Sequence, residues 1–332
     1  MQCILMTQTG NPDVLQLAET SNPSIKSDTE VLVRVHAAGV NPVDTKLRSR
    51  GTYFPERMPA ILGCDGAGVV EAVGTAVHRF NPGDEVYYCY GGIGGHPGNY
   101  AEYNVVEESV LAHKPPQLDF ASAAAAPLVL ITAWESLNDR ARMKKGDTVL
   151  IHAGAGGVGH VAIQLAKAAG CTVITTVSTP GKASFVRSLG ADHVLHYHEE
   201  DVVNRVLEIT GGHGAEISFD TVGGKVLDQC FKTTRPYGDI VSLLQPGADT
   251  DWKQARMYNQ RVSLELMLSP LYYGWNDVLA HHGEILRECA RLFDNRQLKI
   301  HLTTTLPLAE AAQAHRLIEQ GGMTGKIALV NG

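Results

Sequence analysis

The 332-residue chain predicts an α/β protein in which a doubly wound parallel-sheet domain is inserted into a β-rich domain. Up to about residue 120, short runs of strand-forming residues alternate with turns rich in Gly, Pro, Asn and Asp. This pattern is typical of a mostly antiparallel sheet. From residue 148, strand and helix patterns alternate, which indicates parallel strands with crossover helices. The last 60 or so residues leave that alternation, so we expect them to return to the first domain. We place the domains at 1–123, 124–269 and 270–332.

Composition and charge restrict the function classes. The chain is 44% hydrophobic and 19% charged, with a net charge of −7, and it has no basic run. Nucleic acid and anionic membranes are therefore not expected partners. No apolar stretch approaches ~18 residues and the start lacks a signal-peptide pattern, so we expect a cytoplasmic protein. The six cysteines include no C-x-x-C pair, which predicts reduced thiols rather than disulfides or a zinc knuckle.

The first domain predicts strands at 30–38, 66–73, 85–90 and 101–106, each bounded by turn-forming residues. An alanine-rich stretch at 121–138 then predicts a helix that is kinked at Pro127.

The central feature of the chain is a glycine motif between a strand and a helix. The apolar run 148–152 predicts a buried strand, and it leads into Gly154, Gly156 and Gly159 with G-x-G-x-x-G spacing. The following residues repeat their apolar positions with helical period. Glycines allow a tight turn and close approach of a ligand, and a helix start offers free N–H groups. The motif therefore predicts a site for the pyrophosphate of a dinucleotide.

The rest of the chain continues the alternation and then leaves it. We predict strands at 172–177, 193–197, 215–219, 239–243 and 262–268, helices at 181–189, 201–209 and 225–231, and then helices at 276–295 and 308–319 with a final strand at 326–330.

The residues that follow the predicted strand 172–177 indicate which dinucleotide binds. In NAD-binding folds an acidic side chain lies ~20 residues past the glycines and binds the ribose hydroxyls. Here that place carries Ser178 and Thr179, with Lys182 shortly after. A carboxylate would repel a 2′-phosphate, whereas a hydroxyl and an ammonium group can bind it. The sequence therefore favours NADPH as the cofactor.

Several motifs along the whole chain resemble the zinc-less quinone oxidoreductase branch of the medium-chain dehydrogenase/reductase superfamily. They are GVNPVD at 39–44, Arg48 with GTY at 51–53, GCDGAG at 63–68, GNYAEY at 98–103 and HAGAGGVG at 152–159. The resemblance implies a GroES-like catalytic domain, a Rossmann domain, a nicotinamide cofactor and usually a homodimer.

The resemblance also implies roles for individual residues. Tyr197 would join Ser178 and Lys182 at the adenosine phosphate. Asn41 and Tyr53 would be the catalytic residues at the nicotinamide end. Further cofactor contacts would come from Thr132, Gly157, Val158, Leu243 and Lys326.

Structural alternatives exist for each assigned residue. Lys182 could be a solvated helix residue and Tyr197 a strand-end aromatic. Asn41 could form an Asx-turn before Pro42, and Tyr53 could be a half-buried loop aromatic. Asp44, in the same motif, could cap the following helix.

No metal site is predicted. Zinc enzymes similar to this family hold the metal through a Cys where Asn41 stands, a His where Cys64 stands and a third ligand near Leu128. Asn and Leu cannot complete a site that needs three protein ligands. Cys64 with Asp65 and His96 is the alternative, as a partial imitation of such a site.

Without zinc the substrate itself must be electrophilic, so we expect a quinone or an α,β-unsaturated carbonyl as hydride acceptor. The alternatives are an enoyl reductase acting on acyl-CoA, a zinc-type alcohol dehydrogenase, and a crystallin or RNA-binding role without turnover. The glycine-rich loop 91–98 is expected near the substrate. We expect the segment SPLYYGW at 269–275 to supply either aromatic walls of the site or inter-domain core.

Overall fold

The computed structural model describes all 332 residues and divides into two compact units. The first unit comprises Met1–Ile131, Leu268–Arg296 and Ile300–Gly332. The second unit comprises Thr132–Met267 and Gln297–Lys299. The C-terminal part of the chain thus belongs with the N-terminal part.

The structure has sixteen strands, β1 to β16 in chain order. They are β1 (Gln2–Met6), β2 (Leu15–Glu19), β3 (Glu30–Val40), β4 (Ala60–Ile61), β5 (Asp65–Val73), β6 (Glu85–Cys89), β7 (Tyr103–Glu107), β8 (Ala112–His113), β9 (Thr148–Ile151), β10 (Thr172–Val177), β11 (His193–His196), β12 (Ala215–Asp220), β13 (Thr234–Ser242), β14 (Arg261–Leu264), β15 (Leu302–Pro307) and β16 (Lys326–Val330).

Eleven α-helices connect or cover these strands. They are α1 (Pro42–Arg50), α2 (Phe120–Ala124), α3 (Pro127–Trp134), α4 (Gly157–Ala168), α5 (Pro180–Ser188), α6 (Val202–Ile209), α7 (Lys225–Thr233), α8 (Lys253–Met257), α9 (Ser269–Tyr273), α10 (Asn276–Asp294) and α11 (Ala311–Gln320).

The second unit is built on one parallel sheet of six strands, in the order β11-β10-β9-β12-β13-β14. The order reverses between β9 and β12, which is the doubly wound arrangement predicted from the alternating pattern. Dinucleotides bind outside the carboxyl ends of such strands, at the point of reversal. The glycine motif follows β9 and therefore lies at this point.

The first unit is mostly antiparallel. A seven-stranded sheet has the order β15-β16-β3-β5-β6-β8 with β7 paired to β3, and a three-stranded sheet has the order β2-β1-β4. The long strand β3 alternates buried and less buried side chains before it becomes fully buried near Val40. The last strand, β16, pairs with the end of β3, so it lies next to the GVNPVD motif.

The helix predicted at 121–138 is divided into shorter pieces. The α2 helix ends at Ala124, α3 starts at Pro127, and a π-helical turn follows at Glu135–Arg140. Proline has no N–H to donate and favours the first helical position, so it begins a new helix instead of kinking one long helix.

The strand predicted at 262–268 is also shorter than expected, since β14 ends at Leu264. All six cysteines are buried and free. None of the helices combines the length and apolarity that a membrane span requires.

The close contact between β3 and β5 requires a residue without a side chain at Gly68. A Cβ atom on Gly68 would lie 2.0 Å from the carbonyl oxygen of Arg34 and 2.9 Å from Cα of Val35. Both atoms belong to the backbone and cannot move aside without parting the strands, where the pairing is already irregular between Val35 and Ala37.

We therefore expect Gly68→Ala to destabilise the protein by about 1–3 kcal/mol, as overpacking of a tight interior does. Gly181→Ala is the matched control, because it lies in α5 and a Cβ there meets nothing within 4 Å. The control should leave the midpoint of thermal unfolding unchanged or raise it slightly. Equal midpoints for both variants would contradict the packing argument.

Candidate functional site

The glycine turn of the second unit is anchored to the neighbouring strand. The N–H of Ala153 donates to Thr176 Oγ1 at 3.0 Å, and the N–H of Gly154 donates to the Thr176 carbonyl oxygen at 3.1 Å. Ala153 itself has a left-handed backbone, with φ of 52°. The chain thereby turns sharply from β9 into α4, whose N-cap is Gly156.

The three glycines of the motif meet different surroundings. A Cβ on Gly154 would lie 2.0 Å from Thr175 Oγ1, and one on Gly159 would lie 2.4 Å from the Ala153 carbonyl oxygen. These two positions allow the turn and helix to pack closely. At Gly156 the same atom meets only the Ala153 oxygen, at 3.2 Å, so that position leaves its outer side open. The first-turn N–H groups of Gly157 and Val158 have no acceptor within the helix and can bind an anion.

The residues predicted to bind an adenosine phosphate come together. Lys182 Nζ lies 3.3 Å from Ser178 Oγ. Tyr197 directly follows β11, and its N–H donates to the Val177 carbonyl oxygen at 3.2 Å, so it is adjacent to Ser178. Tyr197 is about half exposed. A hydroxyl, an ammonium and a phenol thus stand at the carboxyl ends of β10 and β11.

Two further predicted cofactor residues belong to the second unit. Thr132 is buried on α3. Leu243 follows β13, where its N–H donates to the Asp220 carbonyl oxygen at 3.0 Å. Their contacts with a cofactor stay predictions.

The first unit contains a buried polar cluster, formed by Asn41, Asp44, Asp65 and Lys326. Asn41 Nδ2 donates to Asp65 Oδ2 at 2.9 Å, and the Asn41 N–H donates to Asp44 Oδ2 at 2.8 Å. Lys326 Nζ donates to Asn41 Oδ1 and, at 3.1 Å, to the Val40 carbonyl oxygen. All four side chains are at most 2% exposed. Asp44 therefore does help to cap α1, as its alternative role requires.

The burial of this cluster shifts its titration. Desolvation raises the pKa of Asp44 to about 7, although the Asn41 N–H opposes the rise. Burial likewise raises the pKa of Asp65 and lowers that of Lys326, while the two groups stabilise each other's charges. The amide of Asn41 lies between the oppositely charged groups, so its orientation is fixed.

Asn41 and Lys326 were both predicted to touch bound molecules, and both are buried in the structure. An amide nitrogen has two hydrogens, and Asp65 accepts one of them. The second hydrogen of Asn41 Nδ2 is the group that would serve a substrate or ribose, but the side chain is fully buried, so this contact stays a prediction.

The structure extends the cluster to residues that sequence reasoning did not single out. Tyr100 OH donates to Asp44 Oδ2 at 3.2 Å and also lies 3.2 Å from His315 Nε2. Burial, with the nearby Arg48 charge, lowers the pKa of His315 to about 3. Tyr100 lies in the GNYAEY motif, but His315 is distant in sequence and had no local signal.

Tyr53 differs from Asn41 because its side chain is partly open, with 39% exposed. Its N–H donates to the Ile93 carbonyl oxygen at 3.1 Å, in the glycine-rich loop 91–98. A Cβ on Gly94 would lie 2.4 Å from Thr52 Oγ1, so the loop lies directly on the segment that holds Tyr53. Burial raises the pKa of the Tyr53 phenol, which keeps it protonated as a donor.

The ligand types at the position of a possible zinc site are unsuitable. The side-chain oxygen of Asn41 accepts a hydrogen bond from Lys326 Nζ, and Leu128 has an aliphatic side chain. Desolvation holds the pKa of the Cys64 thiol well above its usual value. No group of three or more His, Cys, Asp or Glu side chains is arranged to hold a metal ion.

Two protein-family models match the chain. The alcohol dehydrogenase GroES-like domain matches residues 27–116, and the zinc-binding dehydrogenase family matches residues 189–329. The quinone oxidoreductase of Pseudomonas aeruginosa is 35% identical over 321 residues, which are 97% of this chain and 97% of that protein.

Solved structures show the same architecture. An NAD-dependent alcohol dehydrogenase superimposes with a TM-score of 0.87 and 30% identity over 100% of both chains. A mycobacterial protein complexed with NADPH gives a TM-score of 0.86 and 30% identity, over 99% of this chain and 100% of that one. The two relatives carry different nicotinamide cofactors in their descriptions, so the choice for this chain depends on its own residues.

The pKa of Asp44 predicts a pH-dependent stability. Between the ordinary Asp pKa and about 7, the folded chain holds this proton more tightly than the unfolded chain, so the free energy of unfolding falls as pH rises. Asn cannot ionise, so Asp44→Asn should gain thermal stability relative to wild type, by roughly a few °C, from about pH 4 to about pH 7. The exposed Asp28→Asn serves as control, and a pH-independent difference for Asp44→Asn would contradict the prediction.

Proposed function

The chain belongs to the quinone oxidoreductase-like branch of the medium-chain dehydrogenase/reductase superfamily, and we propose that it transfers hydride from NADPH to a quinone or an α,β-unsaturated carbonyl without zinc. Membership supports an oxidoreductase of this family. The cofactor and the acceptor class are the parts that the residues of this chain support.

The observation that carries the proposal is the Ser178–Lys182 contact with Tyr197 beside it, at the carboxyl ends of β10 and β11. A 2′-phosphate needs positive charge and hydrogen-bond donors, and this donor set provides both. The open side of Gly156 and the free N–H groups of the first turn of α4 fit the pyrophosphate. When bound, NADPH supplies the hydride.

The acceptor side rests on the chemistry of the buried polar cluster. The place of a metal ligand is taken by Asn41, whose carbonyl oxygen already accepts a hydrogen bond from Lys326. Without a metal to polarise an alcohol or ketone, only an acceptor that is already electron-poor reacts readily. This condition supports quinones and conjugated carbonyls over simple ketones and aldehydes as hydride acceptors.

The residues of the first unit would act by positioning and by donating hydrogen bonds. Asp65 and Lys326 hold the Asn41 amide in one orientation, so its remaining N–H has a fixed direction. The protonated phenol of Tyr53 is the candidate donor to the oxygen on which negative charge develops. Preorganised donors of this kind lower a barrier because they need not reorient during the reaction.

The deciding experiment is an assay of NADPH oxidation with four acceptor classes: quinones, simple enones, enoyl-CoA thioesters, and, in reverse with NADP⁺, ethanol. Turnover with quinones or enones supports the proposal. A preference for enoyl-CoA would identify an enoyl reductase. Ethanol oxidation together with about one bound zinc per chain would identify a zinc-type alcohol dehydrogenase. Tight cofactor binding without any turnover would favour a crystallin-like role.

A homodimer is part of the proposal. Strand β14 is an edge of the six-stranded sheet, and Leu264 and Leu266 beside it are each about half exposed. An unpaired edge with exposed leucines can pair with its twin across a twofold axis.

Lys182→Ala tests the cofactor. The variant should bind NADPH about 10- to 100-fold more weakly, because one charged hydrogen bond is lost, and should bind NADH almost unchanged. Dissociation constants from fluorescence titration provide the measurement, and Lys232→Ala on the exposed face of α7 is the control. Equal losses for both cofactors would remove the proposed role of Lys182.

Tyr53→Phe tests the acceptor side. Removing the phenol should lower kcat about 100-fold, since a donor to the developing oxyanion is lost, with little change in the Kd for NADPH. Tyr237→Phe, at an exposed position of the second unit, is the control. A kcat equal to wild type would leave Tyr53 as a packing residue.

A further inference from the structure

A buried carboxyl group lies at the end of the edge strand β14. Glu265 directly follows β14, and its N–H donates to the Ser242 carbonyl oxygen at 3.0 Å, which extends the pairing with β13. Leu264 and Leu266 on either side are each about half exposed, whereas Glu265 is 4% exposed. Successive side chains of a strand point to opposite faces, so Glu265 points into the second unit between two outward leucines. An ionisable group in such a position needs partners.

The side-chain partners of Glu265 come from the π-helical turn Glu135–Arg140. Arg140 Nε donates to Glu265 Oε2. The carboxyl group of Glu135, which is 6% exposed, lies within hydrogen-bonding reach of Glu265. Glu265 Oε1 is buried and receives no hydrogen bond from an amide, a hydroxyl or a charged nitrogen. One turn of the chain therefore sets a guanidinium and a second carboxyl group against a single buried carboxyl group.

The two carboxyl groups satisfy each other only if they share a proton. An ionised carboxylate accepts hydrogen bonds and cannot donate one, so a proton on either group is needed to join them. With one proton, the two carboxyl groups and Arg140 together carry no net charge. Burial and the Glu135 charge raise the pKa of Glu265 to about 8, while Arg140 opposes the rise. The pair therefore keeps one shared proton at neutral pH.

The pair joins two segments that carry predicted cofactor contacts. Thr132, in the last turn of α3, lies three residues before Glu135. Leu243 directly follows Ser242, whose carbonyl oxygen accepts the N–H of Glu265. The carboxyl ends of parallel strands are where dinucleotides bind, and π-helical turns are frequent at functional sites. A change in the pair would therefore act on the backbone that positions both predicted contacts.

We propose that Glu135 and Glu265 form a proton-sharing latch that holds the end of β14 against the π-helical turn, and that loss of the shared proton to solvent at alkaline pH opens the latch and weakens binding of the nicotinamide cofactor. The inference rests on the proposed function, because it takes the cofactor to lie at the carboxyl ends of the parallel strands. Both glutamates act by positioning and neither touches the cofactor.

The charge balance explains why the latch opens. Once the proton is lost, two buried carboxylates face the single guanidinium of Arg140, and one negative charge is left without compensation. The repulsion drives Glu265 towards water. Arg140 is 45% exposed, so it already extends to the surface to which that carboxylate moves.

The first test measures the Kd for NADPH by fluorescence titration from pH 6 to pH 9. In wild type the Kd should rise about tenfold between pH 7 and pH 9, because about a tenth of the molecules keep the shared proton at pH 9 and the apparent Kd varies inversely with the competent fraction. Glu265→Gln and Glu135→Gln should each change less than about twofold, since an amide donates to the remaining carboxylate at every pH.

Asp239→Asn is the matched control. Asp239 also pairs with an arginine across β13 and β14, Arg261, but at the start of the paired segment. The Kd of this variant should rise with pH as in wild type. A wild-type Kd that does not change with pH, or a rise that is equal in wild type and in both glutamine variants, would overturn the latch.

Thermal unfolding without cofactor separates the latch from the proposed function. Between the ordinary Glu pKa and about 8, the folded chain holds the shared proton more tightly than the unfolded chain, so the stability of wild type falls as pH rises. Glu265→Gln should therefore gain roughly a few °C relative to wild type from about pH 5 to about pH 8. If wild type binds no nicotinamide cofactor, the proposed function fails, and this gain alone decides whether the two glutamates share a proton. A difference that is the same at every pH would overturn the shared proton.

Discussion

The buried ammonium of Lys326 is the interaction on which the first unit depends most. A charge this deeply buried is tolerated only when opposite charges and hydrogen-bond acceptors surround it. Asp65 provides the charge, while Asn41 and the end of β3 provide acceptors. Asp65 in turn accepts the N–H of Leu128 at 2.8 Å. This network, in which the Asn41 amide links Lys326 to Asp65, thus joins β16, β3, β5 and α3.

The same hydrogen-bond network bears on the chemistry. An enzyme that polarises its substrate with a metal needs side chains free to coordinate it, whereas here the amide of Asn41 is already committed to Asp65 and Lys326. What the arrangement offers is a donor with a fixed direction. The contrast with the second unit is clear, because there the essential feature is the absence of side chains at Gly154 and Gly159, which allows the turn to approach β10 closely.

The parts of the site that sequence reasoning identified are those with local causes. Glycine spacing between a strand and a helix predicts the turn, since the backbone itself requires it. Ser178 and Lys182 are close in sequence across a strand end and a helix start, so their 3.3 Å contact follows from local geometry. The prediction of strand 172–177 has the observed limits of β10. The prediction of one continuous helix at 121–138 is wrong, because Pro127 starts a new helix instead of bending a long one.

The sequence by itself determined the fold class, the family, the glycine turn and the proximity of Lys182 to Ser178, because each follows from periodicity, short motifs or closeness in sequence. Only the tertiary structure decided the surroundings of Asn41, since Lys326 reaches it across 285 positions of the chain. The same holds for Tyr100 with His315 and for Tyr53 with Tyr272. The burial and the pKa of a side chain depend on how segments distant in sequence pack together. No local sequence pattern encodes that packing.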